Sequence, residues 1–242
     1  MFITFEGTEG GGKSTQIALL AGRLRSLGRI VRVLREPGGT PIGEEIRQTL
    51  KHSVNNAAMT AEAELLLMNA SRAQLVREVI RPALEAGETV LCDRFYDSTT
   101  AYQGYGRQLD LATVQQIIDF AVGDTRPDLT LLLHVPPEVS EARRLSRQAR
   151  LLDVPRQHEA HSPLPFDEPL RDRMEEADRA FFERVAQGFA ALAAAEPHRV
   201  RWVDATQSVE QVRAAVWNQV ELICQSSAFT RSGHDTQPTQ TA

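Results

Sequence analysis

The chain has few cysteines, no long apolar run and no excess of positive charge, and each shortage excludes a class of protein. Its 242 residues include two cysteines, Cys92 and Cys224, which lie in apolar stretches without metal-ligand spacing. Two cysteines do not make a disulfide framework, so we expect small buried thiols in a reduced compartment. No apolar run approaches the roughly 18 residues that are needed to span a bilayer.

The net charge is −5, with 27 Lys and Arg against 32 Asp and Glu. This balance gives no general reason to expect a nucleic-acid or membrane partner. The N-terminus lacks the basic segment and apolar segment of a secretory signal, so we expect a cytoplasmic protein. Any anion site must therefore be local.

Short apolar strands alternate with amphipathic helices along the chain. Strands are predicted at 2–6, 30–34, 89–92, 128–135 and 200–203. Helices are predicted at 13–27, 42–51, 61–86, 110–122, 138–149, 172–194 and from 208 onward. Strands that are apolar on both faces require helices on both sides, so the pattern predicts an α/β fold with a parallel sheet. Ligands of such sheets bind beyond the carboxyl ends of the strands.

A glycine-rich segment follows the first strand and fits the pattern G-x-x-x-x-G-K-[ST]. The predicted ATP-binding residues are Gly7, Thr8, Glu9, Gly10, Gly11, Gly12, Lys13, Ser14 and Thr15. Glycines let backbone N–H groups converge on phosphates, and the helix that follows adds its positive N-terminal end. We expect Lys13 to contact the β- and γ-phosphates and the Ser14 hydroxyl to bind Mg²⁺.

Charged residues end the second and third strands. Asp93 and Arg94 follow the strand at 89–92. The second strand is likewise followed by two charged residues, Arg35 and Glu36, which begin the turn-rich segment 35–40. Asp93 could hold Mg²⁺, directly or through water, and Arg94 could grip a phosphate with two N–H groups. The alternative is a structural ion pair. Two charged strand ends beside a phosphate loop favour two facing phosphate sites, as transfer between nucleotides requires.

These segments together resemble the thymidylate kinase family in its bacterial form. The matching segments are 2–7 with the phosphate loop, 35–40, 92–95, 101–104, 127–130 and 203–205. The resemblance implies a three-layer α/β/α P-loop kinase with a five-stranded parallel sheet and a lid, forming a single domain over 1–225. It also implies transfer of the γ-phosphoryl group from ATP to dTMP with Mg²⁺, and a homodimer.

The same resemblance assigns the acceptor site. Arg94 would hold the acceptor phosphate, Arg72 and Gln103 would read the thymine edge, and Tyr102 would lie beside the sugar. The further pocket residues are Glu36, Arg47, Met68 and Thr99. Met68 stands where the family usually has a stacking Phe, and methionine covers a ring less rigidly. Without the family, Arg72 would be read as a solvated helix charge.

Catalysis of phosphoryl transfer needs a mobile cation, and the variable positions of the phosphate loop supply none. The lid, placed at about 143–173, must then supply it, and Arg147, Arg150 and Arg173 are the candidates. Residues 151–169, with four prolines, resemble an insertion. The polar segment 226–242 is expected to be a disordered tail.

Two alternatives stay open. The departure at Met68 favours a P-loop kinase for another nucleoside monophosphate. The second alternative is a catalytically inactive P-loop nucleotide-binding module. The presence of Lys13, Ser14, Asp93 and Arg94 argues against such a module.

Overall fold

The computed structural model describes residues 1–136 apart from 54, 56 and 57, then 138–140, 142, 143 and 146, and finally 179–231, with side chains as far as Cys224. Five parallel strands form one sheet in the order β2-β3-β1-β4-β5. They are β1 (Phe2–Glu6), β2 (Val31–Arg35), β3 (Thr89–Asp93), β4 (Leu129–His134) and β5 (Val200–Asp204). The predicted five-stranded parallel sheet is therefore confirmed.

Helices connect the strands. They are α1 (Lys13–Ser26), α2 (Pro41–His52), α3 (Ala61–Leu75), α4 (Arg81–Glu85), α5 (Tyr96–Thr99), α6 (Leu111–Val122), α7 (Arg179–Ala195) and α8 (Val209–Arg231). Polar side chains begin several of them, as when Thr40 Oγ1 accepts from Gly43 N at 3.0 Å. The capping box expected before α8 is present, because Ser208 and Gln211 each bond the backbone N–H of the other.

The helix predicted over 61–86 is present from Ala61 to Glu85, but it is not α-helical throughout. A π-helical segment, Val76–Ile80, separates α3 from α4. Pro82 has no N–H, and its ring crowds the carbonyl four residues earlier, at Glu78 inside this segment. The wider π turn is a local adjustment of the kind that such a site favours.

Two further elements differ from the prediction. The helix α5 and the π-helical segment Thr100–Gly106 lie in a stretch for which no element was predicted. The last helix continues to Arg231, so residues 226–231, which were assigned to the tail, belong to α8. The predicted helix 172–194 is described from Arg179, and the predicted helix 138–149 only in part.

The sheet is covered on both faces by apolar side chains. One cluster joins β1, β4 and β5 to α1 and α8, with Phe5, Leu20 and Val216 among its buried members. On the other face Phe2, Phe95 and Ile118 belong to a second cluster. The three-layer α/β/α arrangement is thus confirmed, and it directs the carboxyl ends of the strands toward one edge.

Burial was predicted for both thiols; it is confirmed for Cys92, which is fully buried in β3, and wrong for Cys224, which is only partly buried. Burial, with the charges of Glu36, Asp93 and Glu6 acting in the same direction, raises the pKa of the Cys92 thiol well above its usual range. Among the described helices, none combines the length and the apolar character that crossing a bilayer would require.

Candidate active site

The glycine-rich loop between β1 and α1 adopts a conformation that only glycine tolerates well. Gly7, Gly10 and Gly12 have φ angles of 121°, 73° and 82°. A Cβ at Gly7 would lie 2.2 Å from the carbonyl oxygen of Leu133 on the neighbouring strand. The loop is therefore shaped by close approach of the backbone as well as by its turns.

Lys13 folds back over this loop. Its Nζ donates to the carbonyl oxygens of Gly7 at 3.2 Å and Thr8 at 3.0 Å. Burial lowers the pKa of the Lys13 ammonium to about 8, and the positive charge of Arg94 acts in the same direction. An anion bound between these two cations would oppose both effects and favour the charged ammonium.

The pH dependence of kcat/KM for ATP should reflect the protonation of Lys13. We expect kcat/KM for ATP to fall above a pH of about 8, where Lys13 loses its proton in the free enzyme. Bound phosphates raise the pKa of Lys13, so kcat should persist to higher pH. Steady-state rates between pH 6 and 10 test this. In the variant Lys13→Arg, whose guanidinium stays charged, the alkaline limb of the remaining activity should disappear. The same limb in both proteins would contradict the assignment.

Oxygen ligands suitable for magnesium meet beside the lysine. Ser14 Oγ donates to Asp93 Oδ2 at 3.1 Å, which joins the first turn of α1 to the end of β3. Hydroxyl and carboxylate oxygens are the donors that Mg²⁺ prefers, together with phosphate oxygens. Within the described part of the chain, no group of three or more His, Cys, Asp and Glu side chains could hold a metal by itself. The pair therefore fits a Mg²⁺ ion that arrives with a nucleotide.

Arg94 follows the same strand in a strained backbone conformation. Its φ angle is 69°, in the left-handed region that side-chain-bearing residues rarely adopt. Its N–H donates to the carbonyl of Phe5 at 2.9 Å, which ties it to β1. The guanidinium lies 5.1 Å from the centroid of the Tyr102 ring, and Nη1 donates to Ser98 Oγ at 3.1 Å. Strain of this kind at a cavity is typical of functional residues.

A buried carboxyl group supports Arg94 from behind. Glu6 accepts from the Phe95 N–H at 2.7 Å and from the Ser98 hydroxyl at 2.5 Å. Burial raises the pKa of Glu6 to about 7, and the charge of Asp97 adds to the effect. Sequence reasoning missed this residue. The available signal was an acidic residue at the end of an otherwise apolar strand.

A cavity of about 430 Å³ opens between the phosphate loop and α3. All the predicted acceptor residues except Arg47 line it, beside Gly7, Thr8 and Glu9 of the loop. These residues are Glu36, Met68, Arg72, Arg94, Thr99, Tyr102 and Gln103. Arg47 is buried and donates to the Pro37 carbonyl at 2.9 Å, so it supports the cavity wall from outside.

Arg72 is not a solvated helix charge, because its side chain is only 2% exposed. Its guanidinium makes an ion pair of 2.7 Å with Glu36, which is equally buried. The remaining N–H groups bond Asn69 Oδ1, Thr99 Oγ1 and the Phe95 carbonyl. The other carboxylate oxygen of Glu36, Oε1, has no hydrogen-bond partner among the described residues. Burial raises the pKa of Glu36, against the effect of Arg72.

The predicted lid is described only at its beginning. Arg147, Arg150, Arg173 and the apparent insertion at 151–169 lie outside the described residues. Arg143, where the predicted lid begins, donates to the Gly10 carbonyl at 3.3 Å and the Ala205 carbonyl at 2.8 Å. One arginine of this region therefore contacts the phosphate loop.

A phosphate loop, an arginine facing it from the next strand and a cavity between them define a P-loop phosphotransferase of the nucleoside monophosphate kinase class. The thymidylate kinase family model matches residues 5–216. The thymidylate kinase of Syntrophotalea carbinolica is 46% identical over 216 residues, 89% of this chain and 93% of that protein. That of Deinococcus radiodurans is 47% identical over 222 residues, 91% of this chain and 96% of that protein.

A crystal structure of thymidylate kinase from Ehrlichia chaffeensis superposes with a TM-score of 0.67 at 31% identity, covering 91% of this chain and 98% of that one. The chain belongs to the thymidylate kinase family.

Proposed function

We propose that this protein transfers the γ-phosphoryl group of ATP to dTMP, giving ADP and dTDP for dTTP synthesis. The observation that carries the proposal is that one cavity is lined both by Arg94, beyond β3, and by the phosphate-loop residues Gly7 and Thr8, whose carbonyls hold Lys13. The positive charges of Lys13 and Arg94 repel each other, and phosphate groups bound between them would relieve that repulsion. Its thymidylate kinase relatives supply the identity of the acceptor.

The chemistry follows from this placement. An oxygen of the acceptor phosphate, oriented by Arg94, attacks the γ-phosphorus in line, and the bond to the β-phosphate oxygen breaks as ADP leaves. No covalent enzyme intermediate is needed. Lys13 neutralises charge on the transferred group and on the β-phosphate. Ser14 and Asp93 would hold the Mg²⁺ of the nucleotide, which when bound neutralises phosphate charge.

The rest of the cavity accommodates the nucleoside. Arg72 and Gln103, which line the cavity, would read the thymine edge, and Thr99 accepts a hydrogen bond from Arg72. Tyr102 stands beside the sugar, where an aromatic wall disfavours a 2′-hydroxyl. Met68, on the same face of α3 as Arg72, covers the base with a flexible thioether rather than a ring.

The test is a panel of acceptors. The purified protein is mixed with ATP, Mg²⁺ and one of dTMP, dUMP, dCMP, dGMP or dAMP, and ADP formation is followed. We expect ADP release that depends on dTMP and exceeds that with the other monophosphates. Preference for another acceptor would support the kinase activity but contradict thymidylate as the acceptor. ADP formation at the same rate with and without an acceptor would contradict the kinase activity itself.

The protein is further proposed to act as a cytoplasmic homodimer. Leu66 on α3 and Phe120 on α6 expose 57% and 83% of their surfaces, and a second copy would cover such apolar side chains. Light scattering on the eluting protein should give twice the chain mass. A monomer mass at assay concentrations would contradict the dimer and leave the kinase proposal intact.

A further inference from the structure

A carboxylate and a guanidinium fix the amide of Gln103, one of the two residues proposed to read the base. Gln103 Nε2 donates to Glu64 Oε1 at 2.8 Å. Arg107 donates to the same carboxylate, from Nε to Oε1 at 3.2 Å and from Nη2 to Oε2 at 3.0 Å. Glu64 and Gln103 both line the cavity, and each is only 1% exposed. The arrangement is therefore a built part of the site.

This chain of bonds has only one possible polarity. A guanidinium donates and never accepts, and the carboxylate paired with it accepts from both sides. The end of the Gln103 amide beside Glu64 must then be the NH₂ group, and the carbonyl oxygen is the opposite end. Arg107 is itself held, with its guanidinium 4.7 Å from the centroid of the Phe181 ring and its backbone N–H bonded to the Tyr102 carbonyl.

We propose that Glu64 and Arg107 are specificity-determining positioning residues that hold the Gln103 carbonyl oxygen toward the base. The site then accepts a pyrimidine that carries a hydrogen on ring nitrogen 3 and disfavours one whose nitrogen 3 is bare. This inference rests on the proposed function, since it names how the same cavity discriminates among acceptors.

The discrimination follows from the edges of the bases. Thymine and uracil present an N–H donor at position 3, which the carbonyl oxygen of Gln103 can accept. Cytosine presents a lone pair there, so that two acceptors would face each other in a buried cavity. A free amide could turn by 180° and offer its NH₂ group to cytosine instead. Glu64 opposes that turn, because its carboxylate would then meet the amide oxygen.

The test replaces the acceptor-only carboxylate by an amide of the same shape. In Glu64→Gln the new side chain can donate as well as accept, so both orientations of Gln103 become possible. We expect the ratio of kcat/KM for dTMP to that for dCMP to fall at least about tenfold. The value for dUMP, whose reading edge equals that of dTMP, should change in parallel with dTMP. Glu62→Gln, which neutralises an exposed acid on the same helix, is the control and should keep the wild-type ratio.

A second variant guards against loss of folding. Arg107→Lys keeps the positive charge but loses the two-pronged contact, and we expect the same ratio to fall by a smaller factor. If Glu64→Gln does not unfold cooperatively and is therefore not properly folded, the dTMP-to-dCMP ratio of kcat/KM in Arg107→Lys tests the positioning role instead. An unchanged ratio, or equal losses for dTMP and dCMP, would overturn the positioning role. Wild-type turnover with dTMP is measured first, because its absence would refute the proposed function rather than this inference.

Discussion

Replacing Arg94 with alanine should lower kcat/KM for dTMP by about a thousandfold, because this guanidinium is expected to orient the acceptor phosphate and to offset its charge. The strained backbone of Arg94 and its hydrogen bond to Ser98 hold this side chain in one position. The KM for ATP should change little, since the phosphate loop stays intact. Steady-state kinetics with each substrate varied in turn measure both effects.

Two controls sharpen this experiment. Arg29→Ala removes an exposed arginine at the end of the α1 region and should retain wild-type kinetics. Arg94→Lys keeps a charge but loses the two-pronged contact, so it should recover only part of the activity. If Arg94→Ala turned over dTMP at close to the wild-type rate, the acceptor phosphate would have to bind elsewhere.

Replacing Arg72 with methionine should destabilise the protein by about 3–5 kcal/mol, the loss that follows when one partner of a buried ion pair is removed. The side chains of Arg72 and Glu36 are 2% and 3% exposed, so the remaining carboxylate would lie unpaired in the interior. Thr99, Asn69 and the Phe95 carbonyl would lose their donors as well. Urea unfolding followed by circular dichroism measures the free energy of unfolding.

Adding Glu36→Gln to Arg72→Met tests whether the unpaired carboxylate causes the loss of stability. In the double variant the uncompensated charge is gone, so part of the lost stability should return. A loss below about 1 kcal/mol for Arg72→Met would show that water reaches Glu36 and that the pair is not buried in solution.

The sheet could be predicted from sequence because its strands are apolar on both faces, a pattern that parallel central strands such as β1 and β3 require. The phosphate loop could be predicted because Gly7, Gly10 and Gly12 adopt positive φ angles, which the local backbone reserves for glycine. Both signals are carried by neighbouring residues. Each can therefore be read without knowing which distant parts of the chain meet.

The partners of the buried charges could not be predicted in this way. Arg199 makes two bonds to Asp97, which lies 102 positions earlier in the chain. Glu64 and Arg107 are 43 positions apart. A single sequence gives the charges but not their pairing, so Glu6 and Glu64 were missed. The resemblance to a family placed Arg72 in the pocket although its helical context alone indicated solvent.

The π-helical segments mark another limit. The segment Thr100–Gly106 places Tyr102 and Gln103 at the cavity wall. Its sequence has no helical periodicity of apolar residues from which the segment could be predicted. Widened turns of this type are frequent at functional sites. The motif at 101–104 indicated the site but not its backbone. The lid arginines Arg147, Arg150 and Arg173 stay predictions.

The most direct measurement follows the transferred group itself. The protein is incubated with Mg²⁺, dTMP and ATP labelled with ³²P at the γ-position, and the products are separated by chromatography. We expect the label in dTDP, in a yield equal to the ADP formed. Label found in inorganic phosphate, with dTMP left unchanged, would contradict a thymidylate kinase and identify a nucleotide hydrolase, and label left in ATP would identify a binding module.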